Sequence, residues 1–198
     1  MCRACTRTAS GQRCSRTSEG EELMVRHNWF RRRRDGSITL ELRPDEAALL
    51  LQIVGELRGV LDEPSDSPIM QRMFPRAYLD PTEDAAEAEY TVLASAALLR
   101  TRLDRTEALL AVLEPVARGT RSMAIELGDD DIPIWMGTLN DARLAMGVAF
   151  NVDEDTEAGD LADDDPRKFA LEVYSLISWF FGELVDVVAV GMPTEGID

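Results

Sequence analysis

The residues of this chain best suited to thiol or metal chemistry are three cysteines and one histidine, and all four stand within its first 27 positions. Cys2 and Cys5 have the Cys-x-x-Cys spacing of a zinc half-site, and Cys14 with His27 could complete four ligands. The same thiols could instead form a redox site. Against both, no second Cys-x-x-Cys follows, and the surrounding MCRACTRTASGQRCSRTSEGEEL has almost no apolar periodicity. Residues 1–23 are therefore expected to be a disordered Cys-, Arg- and Ser-rich tail. Met24 directly precedes the first patterned segment and is a plausible true start, in which case no cysteine remains. His27 has no Ser, Cys or carboxylate at catalytic spacing and reads as a surface residue.

A second group is basic. Arg31, Arg32, Arg33 and Arg34 precede Asp35-Gly36, a two-residue turn signal, and Ile38, Leu40 and Leu42 then alternate with polar residues. This pattern predicts a hairpin pairing about 29–34 with about 37–42. The arginines could grip phosphate, with Trp29 or Phe30 stacking nearby. The competing reading, preferred here, pairs them with the chain's own carboxylates.

Carboxylates abound, with 37 acids against 21 basic residues and a net charge of −16. The charge is uneven, net +5 over residues 1–43 and −21 over the rest. Such a body repels phosphate backbones, so any nucleic-acid contact must use the N-terminal segment. Asp153, Asp155 and Glu157 resemble a calcium loop, but Ala158 stands where that loop needs glycine, so a solvated linker is expected. No phosphate-cradling glycine loop, nucleophile elbow or metalloprotease helix is present, and no enzyme activity, metal or cofactor is expected.

The elements that carry these residues are mostly helical. With 45% apolar and 29% charged residues, 198 positions suit one domain, drawn over residues 24–192 with a frayed tail at 193–198. Pro44 opens a helix whose buried face is Leu50, Ile53, Val54, Leu57 and Leu61, while Gly55 and Gly59 could admit a close neighbour. A short turn over 69–74 follows. Asp80 caps a long helix running towards Pro115, with a seam at Val92, Ala96, Leu99, Leu103, Thr106, Leu110 and Leu113. A homodimer would produce the same stripe. Residues 122–127 could add a third strand. Gly128 and the acids after it start a helix with Trp135, Leu139, Ala142, Met146 and Ala149 inward, and Asn140 and Arg143 form a polar pair at its edge. Residues 166–190 are apolar over most of a helix's circumference, including Ile177, Phe180 and Leu184. Such a helix is enclosed by other helices or by a partner subunit, and its charges argue against a membrane span. The expected fold is mainly α: a bundle of four main helices with a small antiparallel hairpin or three-stranded sheet near the N-terminus. No N-terminal stretch has a signal peptide's apolar centre, so a cytoplasmic location is expected.

Several segments resemble one family. They are Arg43-Pro44-Asp45-Glu46-Ala47 after the hairpin, Arg72-Met73-Phe74-Pro75-Arg76-Ala77-Tyr78, and Leu139-Asn140-Asp141-Ala142-Arg143-Leu144 before Gly147. Asp165-Pro166 with Val173-Tyr174 completes the set. From Leu40 to Val190 the chain is similar to an actinobacterial family known as domain of unknown function two thousand and seventeen, described as oxidative-stress transcriptional regulators. The resemblance implies a regulator tied to cysteine biosynthesis and redox stress, acting through RNA polymerase or a sigma factor. It also marks Tyr78, Asn140, Asp141, Arg143 and Tyr174 as a polar family core. The matched region contains no cysteine, so redox sensing would fall to Cys2, Cys5 or Cys14, or to methionines.

Overall fold

The structure, a computed structural model, describes residues 28–78, 80–153, 161–162 and 164–190. In chain order these form β1 (Phe30–Arg32), β2 (Ile38–Leu42), α1 (Pro44–Asp62), α2 (Pro68–Met73), a 3-10 turn (Pro81–Glu83), α3 (Asp84–Ala117), β3 (Met123–Leu127), α4 (Asp131–Ala149) and α5 (Lys168–Ala189). The four long helices and the small antiparallel sheet are the architecture that periodicity predicts. Cys2, Cys5, Cys14, Met24, His27, most of the calcium-like loop and the 193–198 tail lie outside the described residues.

The three strands form a meander in the order β1-β2-β3. Phe30 stands opposite Leu40, and Leu40 opposite Ile125, so one face is apolar, while Arg31, Thr39 and Glu126 share a row on the other. The hairpin loop differs from a two-residue Asp-Gly turn. Arg33 N–H donates to Ser37 O at 2.8 Å and Gly36 N–H to Arg33 O at 3.1 Å, leaving three residues in the loop. Only Gly36 takes a positive φ, +90°, as a type I turn closed by a glycine bulge requires. Asp35 favours this form because its side chain accepts from both the backbone N–H and the hydroxyl of Ser37.

Pro44 at the first position starts α1, and the Glu46 carboxylate accepts from the Arg43 N–H at 2.8 Å, satisfying an amide at the helix start. All five expected inward residues of α1 are buried, with Ala47. Gly55 and Gly59 face open space, so they admit no neighbouring helix. Ser67 caps α2 through Met70 N–H, and Asp80 accepts from Thr82 N–H at 2.8 Å at the entry to α3. Helix α3 carries Pro115 in its last turn, where the chain is about to stop anyway, and runs on to Ala117.

The core gathers α1, the C-terminal half of α3, α4, the inner sheet face and one side of α5. In α3 the buried residues are Thr106, Leu109, Leu113 and Val116, so the seam is core only in its second half. Val92 and Ala96 are exposed: the helix outruns the bundle that would cover them. Helix α5 also departs from expectation. Leu171, Ile177, Phe180 and Leu184 are buried against α4 and β1, with Phe180 4.9 Å from the Phe30 ring and 5.1 Å from Trp29. Its remaining apolar residues, Val173, Leu176 and Phe181 among them, are only half-buried. It lies on the bundle and is not enclosed by it, because no described helix covers its outer side. Among the described residues no helix is long and apolar enough to cross a membrane.

Candidate functional site

Asp141 is the one charged residue buried among those described. Its Oδ2 lies 3.2 Å from Arg102 Nε and 3.0 Å from Arg105 Nη2, both on α3. Arg102 also donates to the Met73 carbonyl at the end of α2 at 2.9 Å and stacks 4.5 Å over the Phe74 ring. The Thr106 hydroxyl donates to the Arg102 carbonyl at 2.7 Å. Position 137 must be glycine for this arrangement, since a Cβ there would come within 2.5 Å of Arg105 Cζ. One carboxylate thus joins α2, α3 and α4. Burial raises the Asp141 carboxyl above its ordinary range, while Arg102 and then Arg105 pull it down. Arg102 Nε lies off the hydrogen-bond direction towards Oδ2, so this contact is mainly coulombic.

Chemically, this cluster is a clamp. No second buried carboxylate faces Asp141 among the described residues, and its reacting oxygen is already engaged twice. An open groove of 320 Å³ lies elsewhere, between the 64–66 loop, α2 and α3, and Asp66 is the one ionisable group lining it. No group of three or more His, Cys, Asp or Glu able to hold a metal occurs among the described residues.

The family-core residues do not form one site. Asn140 is half-buried, and Arg143 Nε donates across to Ser178 Oγ at 3.1 Å, its guanidinium 5.2 Å above the Phe181 ring. Arg143 therefore pairs with α5, where sequence spacing suggested Asn140. Tyr174 packs beside Gly147, where a Cβ would meet its ring at an ordinary van der Waals distance of 3.7 Å, so the contact does not require glycine. Tyr78 meets Tyr90 edge-on at 6.5 Å, well away from these. Sequence spacing missed Arg102 and Arg105. The available signal was Asp141 itself, a charge on the same stripe of α4 as Thr138, Ala142 and Ala145.

The four arginines at the hairpin are all exposed, and only two of them are engaged among the described residues. Arg32 donates to the Val187 carbonyl at 3.3 Å, in the last turn of α5, where a cation complements the helix dipole. Arg33 donates to Thr39 Oγ1 at 2.8 Å and reaches Glu126 at 3.9 Å. Arg31 and Arg34 have no hydrogen-bond or ion-pair partner among the described residues. Glu41 and Glu126 sit on the same outer sheet face as Arg31, which dilutes its positive charge.

Comparison with known proteins places the chain in context. The family model described as "Domain of unknown function (DUF2017)" matches residues 25–188. Proteins named "Oxidative stress regulator AosR" from Mycobacterium bovis and Mycobacterium tuberculosis are 30% identical over 177 residues, covering 72% of this chain and 80% of each relative. No solved structure matches. The match takes in the three strands and five helices of the described residues, α5 to within one residue of its end, together with the Asp141 clamp, and on that extent the chain belongs to the family of domain of unknown function DUF2017.

Proposed function

We propose that this chain is a regulator of the oxidative-stress response that works by contacting the transcription machinery, RNA polymerase or a sigma factor, as a cytoplasmic protein without catalytic turnover. The observation that carries the reading is the similarity, over 72% of the chain, to two mycobacterial proteins named oxidative stress regulators. Two features support a mechanism of contact. Apolar side chains of α5 remain half-exposed, and the one buried carboxylate is committed to a structural clamp. Redox sensing, in this reading, falls to Cys2, Cys5 and Cys14, since residues 28–198 contain no thiol.

The test is retention of purified RNA polymerase core and individual sigma factors on the immobilised full chain, with reductant and with mild peroxide. Co-retention of one of them, altered by peroxide and insensitive to alanine at Arg31 and Arg34, is the expected result. No retention under either condition by folded protein overturns the reading.

A direct DNA-binding role is the second reading, favoured by the exposed Arg31 and Arg34, which have no partner among the described residues. It requires that promoter DNA be retarded, with steep loss on adding salt and on changing Arg31 to Arg34 to alanine. Binding indifferent to those four changes removes it.

A further inference from the structure

The first half of α3 has an outer surface built unlike the rest of the molecule. Val92 is 79% exposed and Leu93 72%, the most exposed large apolar residues within any described helix except Phe169. Residues 89, 92, 93, 96, 97 and 100 follow one another at spacings that put them on one stripe of the helix. The stripe holds two large apolar residues, two alanines and one charge at each end, Glu89 and Arg100. Both charges are exposed, and neither has a partner among the described residues.

A twofold pairing requires a surface to complement itself. Laid antiparallel against a copy of itself, with the axis between Ala94 and Ser95, this stripe does so in two independent ways. Glu89 of each copy then faces Arg100 of the other, about 16 Å of helix separating the two ion pairs. In the same register Leu93 faces Ala96 and Val92 faces Ala97, so a large side chain meets a small one at each step, as interlocking packing requires. The alanines let the helix axes approach to the short end of the usual 8–10 Å range. Antiparallel helix dipoles also oppose one another favourably.

From this complementarity we infer that two copies of this chain pair antiparallel along α3, through Glu89, Val92, Leu93, Ala96, Ala97 and Arg100. The pairing lies apart from α5 and from the hairpin, so it stands or falls independently of the function proposed above.

The experiment is sedimentation of the full chain from about 1 to 100 µM, with reductant present so that Cys2, Cys5 and Cys14 cannot cross-link copies. The expected species is a dimer of the 22.0 kDa chain. Leu93→Asp is expected to give monomer with an unchanged far-ultraviolet circular dichroism spectrum, since Leu93 touches no core, and a melt that no longer depends on protein concentration. Glu89→Arg and Arg100→Glu are each expected to weaken the dimer at least about fivefold, by setting like charges opposite one another twice. The double variant E89R/R100E, which restores the pairing with signs exchanged, is expected to recover the native dissociation constant. A monomer throughout the concentration range, a dimer indifferent to Leu93→Asp, or a double variant as weak as the singles overturns the inference.

Discussion

The guanidinium of Arg105 occupies the space that a side chain at position 137 would fill, so a glycine in the middle of α4 and an arginine on α3 are one structural unit. Glycine inside a helix costs about 1 kcal/mol relative to alanine. Here that cost secures the approach of Arg105 to Asp141 at 3.0 Å.

Gly137→Ala is therefore expected to show opposite signs in two backgrounds. In the native chain the new methyl displaces Arg105, and the gain in helix propensity is lost or reversed. In an Arg105→Ala background the same change is expected to stabilise by about 0.5–1 kcal/mol. Urea denaturation of the four proteins measures the coupling, and equal effects in both backgrounds would contradict it.

Asp141→Ala leaves two partly buried guanidiniums without their carboxylate. Removing one member of a fully buried pair costs about 3–5 kcal/mol. The side chains of Arg102 and Arg105 are 16% and 26% exposed, so solvent screens part of the loss. A destabilisation of about 2 kcal/mol is expected by chemical denaturation.

The pH dependence of the same residue has a definite sign. Burial raises the Asp141 carboxyl above its ordinary 3.8, against the pull of Arg102 and Arg105. A raised carboxyl holds its proton more tightly in the folded state. Its stabilising contribution is complete below the unfolded pKa and is lost as pH rises through the folded one. Asp141→Asn abolishes this titration, so the stability gap between native chain and variant is expected to narrow as pH rises from about 4 towards neutrality. A gap that widens instead would mean that the two guanidiniums outweigh burial.

Thr138 sits beside this cluster with its hydroxyl buried and without a hydrogen-bond partner among the described residues. Thr138→Val keeps the shape and removes the unsatisfied group. A gain of about 1 kcal/mol is expected, read as a higher Tm.

Glu46 serves two residues at once, and it also lies 3.2 Å from the Arg43 guanidinium. It accepts from the Arg43 N–H and, at 3.0 Å, from the indole Nε1–H of buried Trp29. Glu46→Ala is expected to cost about 1–2 kcal/mol and to shift tryptophan fluorescence. Loss of stability without a fluorescence change would separate the two roles.

How much of this was legible beforehand varies with the kind of signal. The inward face of α1 could be read residue by residue, because Leu50, Ile53, Val54, Leu57 and Leu61 form an unbroken helical spacing. The third strand could be read more weakly, since Met123, Ala124 and Glu126 of β3 are exposed and blur the alternation. The Asp141 clamp was illegible as a unit. Its members stand 36 and 39 positions apart, and an arginine that is stacked and paired looks no different in sequence from one in water. Two misreadings share another cause. Periodicity reports which side of a helix is apolar, and it does not report how far the neighbouring helices extend. Val92 and Ala96 belong to the same stripe as Leu103, yet the bundle stops short of them. The outer side of α5 is apolar, yet only its inner side meets α4 and β1.

The first described strand and the last helix are fastened together at three points. Trp29 N–H donates to Glu183 at 3.1 Å, Arg32 reaches the Val187 carbonyl, and the rings of Trp29 and Phe30 close on Phe180. Pulling on residue 28 therefore loads α5 together with β2 and the start of α1, because the Trp29 carbonyl also accepts from Glu41 N–H at 2.9 Å and its indole donates to Glu46.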